Sequence, residues 1–525
     1  MGLMGMISPC LIDTLPRFLG VLQMFACHAT DDFFRLRIDH MIDLRHPLAV
    51  LASRMPWQEI EAKVAQVFSR KGRAGVAMPE LDLFGEQMQR TVVPSKAGRP
   101  RVPLRIMISL LYLKHAFNES DEGVVERWGE TPVWQFFSGL AYFEHQRPCD
   151  ATTLVKFRQL LGDEGVEELL AQTINVAVEL KLIKPQELSR VIVDSTVQHK
   201  AIAHPTDSRL LETARTKLVE VAKEAGVRLK QTFAKEGKDL SRKAGRYAHA
   251  RQFKRMKRAI KRQRTIVARL QREIERKATA ASTAIGVAVR QALGETLGKA
   301  ARIVAQSAQR KTIDGQPKLY AWHAPEVDCI SKGKARTPFE FGVKVGITST
   351  LKGNLVVGAR AFHGNPYDGH TLAEQLEQAT ILMQDSRVKP TTAFVDLGYR
   401  GMDADNPDVH IVHRGKAKRL TQQERKLLRR RQAIEPIIGH LKGDCRMQRC
   451  HLKGKTGDRL HAVLCAAGYN IRWLLRMIAS RGIAFLWRLY LRLRVLGALV
   501  STWPLVPRKW LACTSNATTS TVALA

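Results

Sequence analysis

The segment Arg431-Gln-Ala-Ile-Glu435-Pro-Ile-Ile-Gly-His-Leu-Lys442 sets one carboxylate between two cations, four and seven residues away. On a helix, residues at these spacings share one face. Such a stripe is unusual as core. It suits a place that holds metal ions and a polyanion. Pro436 complicates the helix, because proline in a helix interior costs roughly 3 kcal/mol. The helix either kinks there or restarts with Pro436 in its first turn.

Two other segments supply matching partners. Arg190-Val-Ile-Val-Asp194-Ser-Thr and Thr392-Ala-Phe-Val-Asp396-Leu-Gly-Tyr-Arg400 read as short apolar strands, each closed by an aspartate. An unpaired carboxylate ending a buried strand is costly, and a shared divalent cation is the usual remedy. Hard oxygen ligands suit Mg²⁺, with Mn²⁺ as the alternative. Two such ions about 3.5–4 Å apart can serve both ends of an in-line phosphodiester displacement. In this reading Asp194 bridges the ions, while Asp396 and Glu435 each favour one. Arg431 and Lys442 grip the scissile phosphate or its neighbour. A lone aspartate at a strand end is usually a turn or cap. The argument rests on three carboxylates, in order, in a strongly basic chain.

The 525 residues carry a net charge of +35, with a pI near 10.2. That excess points to a polyanionic partner, above all double-stranded DNA, whose condensed counterions are released on contact. A ribosomal or membrane-surface role fits the large apolar fraction less well. Eight scattered cysteines form no disulfide framework and suit a reducing cytoplasm, at the nucleoid. Residues 1–27 are apolar but lack the charged start and cleavage site of a signal peptide. Arg488, Arg492 and Arg494 interrupt the apolar stretch at 484–505, so no membrane span is expected.

Four regions position these residues. Residues 1–95 read as an apolar, irregular extension. Residues 96–185 read as short helices joined by tight turns, compatible with a helix-turn-helix module. In it, Ser120 is the candidate cap of one helix and Asp150 of another. Residues 186–480 hold the strands and the three carboxylates, with a helical insertion at 200–335, and 481–525 form a tail. Between Arg228 and Lys277 stand 19 basic and 4 acidic side chains, a net +15. This run reads as a long basic helix paired with one at 208–225. Arg251, Lys254, Arg255, Lys257 and Arg258 are its candidate DNA-backbone contacts. Phe253, Met256, Ile260, Val267 and Leu270 give it a sparse apolar stripe. Alternation from Pro338 to Ser349, a Gly353-Asn354 turn and a return strand predict a hairpin. The order suits an α/β class of mixed sheet with flanking helices, the ribonuclease H-like arrangement.

These residues together resemble the DDE transposases of bacterial insertion sequences, of the IS-five type. That family carries Tyr-x2-Arg-x3-Glu-x6-Lys, and Arg431, Glu435 and Lys442 match its last three positions; Leu428 stands at the tyrosine position. Asp396-Leu-Gly-Tyr-Arg-Gly401 is similar to the family's second-aspartate segment, and Val193-Asp194-Ser-Thr196 to its first. Phe339-Glu-Phe-Gly-Val-Lys344, His363-Gly-Asn-Pro-Tyr-Asp-Gly-His370, and Pro148-Cys-Asp150 through Phe157-Arg158 also look familial. The resemblance covers roughly residues 95–480. It implies a ribonuclease H-like catalytic domain, Mg²⁺ dependence and binding to terminal inverted repeats and target DNA. A homodimer or higher oligomer is expected on DNA.

Two rival readings use the same carboxylates: a metal-dependent nuclease without strand transfer, and an inactive DNA-binding derivative. Strand-transfer products separate the first from a transposase. The presence of all three carboxylates counts against the second. Weaker candidates are His363 and His370, flanking a Gly/Pro/Asp loop, as metal-proximal or substrate contacts. His440, Cys445, Cys450 and His451 include zinc-ligand types, at spacings off the usual pattern.

Overall fold

A computed structural model describes residues 36–67, 101–280, 286–308, 318–331, 338–416, 418 and 420–501. The apolar stretch at 1–27, the linker at 98–100 and the tail beyond 501 lie outside them. Three helices open the described chain: α1 (Ile38–Met41), α2 (Pro47–Arg54) and α3 (Trp57–Val67). They are followed by α4 (Leu104–Ala116), α5 (Asp121–Glu130), α6 (Pro132–Phe137) and α7 (Ala151–Glu179). The capping expectations hold. Ser120 accepts a bond from the Gly123 amide, and Asp150 from the Thr152 amide. From Asp150, α7 runs as one element with a break at Gly162, whose φ is 63°. Only glycine takes that conformation without strain.

A buried charge cluster ties α4, α5 and α7 together. Both Arg158 guanidinium nitrogens donate to Asp121 at 3.0 Å, and Lys114 Nζ donates to it at 2.7 Å. Burial pushes the Asp121 carboxyl up, but Arg158 and Lys114 outweigh it and pull the group down to about 2 from 3.8. A depressed carboxyl contributes stability above its unfolded pKa and loses it as pH falls through the folded one. The wild-type urea midpoint is therefore expected to drop between about pH 4 and 2 more steeply than that of Asp121→Asn. At neutral pH that variant leaves two buried cations unpaired, at a cost of about 3–5 kcal/mol. Equal slopes in the two chains would refute this account.

The sheet is built from β1 (Arg190–His199), β2 (Asp328–Ser331), β3 (Phe339–Thr350), β4 (Val356–Phe362), β5 (Thr392–Phe394) and β6 (His410–Val412). Its order is β2-β3-β1-β5-β6, with β4 also on β3. β1 runs antiparallel to β3 and parallel to β5, and β5 runs parallel to β6. The β3–β4 hairpin turns where Gly353-Asn354 predicted it, with Asn354 at φ 57°. β1 is buried along most of its length (Val191, Ile192, Val193, Val197), as expected of a strand covered on both sides.

Between β1 and β2 lie four helices, α8 (Asp207–Glu224), α9 (Ala234–His249), α10 (Phe253–Ala280) and α11 (Val287–Ala308). The single long basic helix expected over 228–277 is instead two, separated at Arg251, whose φ is 56°. The apolar stripe also differs. Phe253 at its head is 55% exposed, while Val267 and Leu270 are buried as expected, together with Ile266 and Ile274. They pack with Leu211, Leu218 and Ile303 into a core separate from the main one.

The chain closes with α12 (Leu372–Leu382), α13 (Gln422–Arg429), α14 (Ile434–Asp444) and α15 (Gly454–Ser501). Thr421 and Glu424 form a reciprocal capping box on α13. α15 packs on α2, α4, α7 and β4. One hydrophobic core thus runs from Leu48 through Trp128, Ile192 and Phe394 to Leu474, joining the first helices to the sheet.

Candidate active site

β1 and β5 lie side by side in parallel, with Ile192 opposite Phe394. Asp194 and Asp396 each follow two residues beyond that pair, so adjacent strands bring them to matching positions. Asp396 lies just past the end of β5, but β1 runs on to His199 along β3, so Asp194 sits inside its strand and does not close it as the sequence suggested. Asp194 Oδ1 accepts from the Ser195 amide at 2.8 Å. Asp396 leaves the strand in extended conformation and caps a 3-10 turn, Leu397–Tyr399, by accepting from the Gly398 amide at 2.8 Å.

A third aspartate joins them, one that the sequence presents only as part of the His363–His370 stretch. Asp368 Oδ1 accepts from Ser195 Oγ at 2.9 Å and meets Lys344 Nζ at 3.0 Å. Lys344, on β3, also donates to the Pro366 carbonyl at 2.6 Å. A β-carbon on Gly398 would lie 3.0 Å from Asp396 Oδ1 and 3.4 Å from Asp368 Oδ2, and Tyr399 follows directly. Burial, followed by the charges of Asp368, Asp194 and Asp396, pushes its phenol well up and keeps it neutral. The signal for Asp368 was present in the His363–His370 stretch, but its partners Ser195 and Lys344 are far away in sequence.

Glu435 arrives from the other side. Arg430–Ala433 form a 3-10 turn, and α14 begins at Ile434, so Pro436 falls in the first turn of a restarted helix. Proline is tolerated there because the first amides have no intrahelical partner. Ile434, Ile437 and Leu441 bury one face of α14, which packs on β1. Arg430 locks the turn to the β3–β4 hairpin, donating to the Leu351 carbonyl at 2.8 Å and the Lys352 carbonyl at 2.9 Å. Sequence reasoning passed over Arg430, which stands in a basic run with nothing to mark it. Arg431 Nη1 reaches Asp194 Oδ2 at 3.4 Å. Glu435, one turn further on, is exposed. Among the described residues, the oxygens of Asp194, Asp396 and Glu435 do not all lie within 4.8 Å of one another.

Lys442 lies two turns beyond Glu435 and lines a groove of about 570 Å³ with Asn118, His199, Lys200, Arg446, Arg449 and His451. Lys200 at its floor is tied to Glu326 and Asp458, each at 2.8 Å. His363 belongs to this structural network, its Nε2 3.3 Å from Asp458 Oδ2, and His370 rests against the Tyr367 ring. Of the zinc-type residues, His440 pairs with Asp444 at 2.8 Å, and Cys445 and Cys450 are buried. Arg251, Lys254, Arg255, Lys257 and Arg258 are all exposed, on α10 and the turn before it, away from the carboxylates and on a bundle with a core of its own.

The described helices include none long and apolar enough to cross a membrane. Residues 78–160 match the family described as Transposase domain (DUF772), and residues 310–471 match Transposase DDE domain. A protein of Rhizobium meliloti, described as uncharacterized protein ORF8 in the nfe locus, is 42% identical over 223 residues, which are 42% of this chain and 95% of the relative. No solved structure matches the chain. The segment between the two matched regions contains β1 with Asp194 and the four helices that follow it. Aspartates on two neighbouring strand segments, a glutamate on a flanking helix and two transposase matches converge: the chain belongs to the DDE transposases of insertion sequences, enzymes that act on DNA.

Proposed function

We propose that Asp194, Asp396 and Glu435 form the reaction centre, cutting and joining DNA at the ends of an insertion sequence. The observation that carries this reading is the parallel register of β1 and β5, with Asp194 and Asp396 in equivalent places beside α14. A sheet of this order, antiparallel β3–β1 followed by parallel β1–β5–β6, supports a ribonuclease H-like catalytic domain, with α8–α11 as an insertion in it.

The donor set fits a hard divalent cation, because every candidate ligand is a carboxylate oxygen. When bound, Mg²⁺ or Mn²⁺ would supply Lewis acidity at the scissile phosphate and lower the pKa of the attacking hydroxyl. Asp194 and Asp396 would hold the ion from the sheet and Glu435 from α14. Protein groups supply the rest. Ser195 and Lys344 fix Asp368 beside Asp396 and neutralise part of the local negative charge. Arg430 fixes the turn that aims Glu435. Arg431 and Lys442 offer guanidinium and ammonium donors for phosphates flanking the cut. The basic groove beyond Lys442 would carry the strand away from the site. The exposed cations of α10 meet backbone phosphates, and α4–α6 read the terminal repeats, on an oligomer assembled at paired ends.

The test is cleavage and joining of candidate element ends with Mg²⁺. Cut ends joined to target DNA are expected with the wild type and neither product with Asp194→Asn. Cut ends that never join would move the reading to a nuclease, and equal products from both chains would refute the site.

A further inference from the structure

A second cluster lies in the core, away from the carboxylates. His461 and Cys465 stand four residues apart on α15, and Gly468 follows three further on, so the three share one stripe. That stripe meets α4 at His115. A β-carbon at Gly468 would fall 2.5 Å from His115 Cβ and 2.6 Å from the His115 carbonyl carbon. The two helix backbones therefore touch, and glycine is required there. This approach brings His115 Nδ1 to 3.6 Å from Cys465 Sγ and the two imidazole centroids to 5.5 Å. One donor atom from each of His115, His461 and Cys465 lies within 4.8 Å of the others, and all three residues are buried.

The geometry is close to a coordination shell. Tetrahedral zinc, with bonds of about 2.0–2.3 Å, sets its donors roughly 3.3–3.8 Å apart. The His115–Cys465 separation already falls in that range. His461 Nε2 sits 3.0 Å from the Arg446 carbonyl, which only accepts, so this nitrogen carries the proton and Nδ1 carries the lone pair. A carbonyl on the far nitrogen is the partner that orients metal-bound histidines. His115 Nδ1 makes only a long approach to the Cys445 carbonyl, at 3.5 Å. Cys445 itself is buried at the end of α14, and its thiol is not part of the three-residue cluster.

We infer that His115, His461 and Cys465 bind one structural Zn²⁺ ion. Two imidazoles and a thiolate are donors that zinc takes in structural sites. The three ligands come from α4 and α15. The ion would therefore pin α15 to the N-terminal helices.

Metal analysis of the full-length chain tests this, after purification without chelators from zinc-supplemented medium. One zinc per chain is expected. Cobalt in its place should give the intense visible bands and thiolate charge-transfer band of a tetrahedral site. Cys465→Ser and His461→Asn should fall from one ion per chain to almost none. Asp194→Asn should keep the full complement, which separates this site from the carboxylates. Substoichiometric zinc with a featureless cobalt titration in the wild type overturns the proposal, leaving a hydrogen-bonded core cluster. Full zinc retained in Cys465→Ser overturns it equally. Should that variant fail to fold, the wild-type cobalt spectrum decides.

Discussion

Glu435→Gln is expected to abolish DNA cleavage while leaving binding to the element ends nearly unchanged. The amide keeps the size of the side chain and loses the charge that would hold a divalent ion. Loss of that ligand removes several kcal/mol of transition-state stabilisation, and about 4 kcal/mol is roughly a thousandfold in rate. Folding should be unaffected, because Glu435 is exposed and the buried face of α14 is carried by Ile434, Ile437 and Leu441. Single-turnover cleavage on end-containing duplex, measured beside a gel-shift titration, checks both halves. Retained Mg²⁺-dependent nicking by the variant would remove Glu435 from the reaction centre. Lost binding with lost cleavage would instead give it a phosphate-side or structural role.

The second large effect is on salt dependence. Arg251, Lys254, Arg255, Lys257 and Arg258 are exposed, and among the described residues none pairs with a carboxylate. Arg262, one turn further along α10, is already matched to Glu236 at 2.6 Å and is left out of the test. Neutralising all five should flatten the slope of log affinity against log salt by up to about 4–5 units, near 0.9 for each phosphate that no longer meets a cation. Discrimination between element ends and random duplex should change little, since cations on such a surface meet phosphates rather than base edges. An unchanged slope would refute DNA binding by α10 and point to a dimerisation face.

Legibility in the sequence followed the range of the signal. The starts of the strands carrying Asp194 and Asp396, the β3–β4 hairpin and the caps at Ser120 and Asp150 are local patterns, and each was readable from a few adjacent residues. Pro436 announced either a kink or a restart, and the helix restarts at Ile434; this constraint too is local. Asp368 and Arg430 were not readable as parts of the site. What gives them a role is their proximity to Ser195, Lys344 and the Leu351 carbonyl, and nothing near them in sequence encodes those distances. The basic run misled in a different way. Lysine and arginine favour helix on either side of Arg251, so the left-handed backbone there leaves no mark in composition. The stripe beginning at Phe253 held in part: Val267 and Leu270 lie in the core and Ile260 packs against it, while Phe253 is exposed, because burial in this bundle is set by α8 and α11 as well as by the periodicity of α10.

The placement of α8–α11 between neighbouring strands has a consequence for how the chain folds. β1 and β3 pair over nine residues, from Val191 opposite Thr350 to His199 opposite Gly342, so every rung of that ladder joins residues well over a hundred positions apart. An unstructured loop of that length would make the ladder a slow, late event, because pairings distant in sequence lower folding rates. Four helices with a hydrophobic interior of their own change the problem. Once they have condensed, Lys200 and Phe341 are joined by a 3.0 Å backbone bond at the base of the bundle, and the intervening chain behaves as a short tether. The helical insertion would then act first as an internal folding scaffold. Emerging from the ribosome before β3, it can collapse early and hold the first aspartate's strand in readiness for its partners.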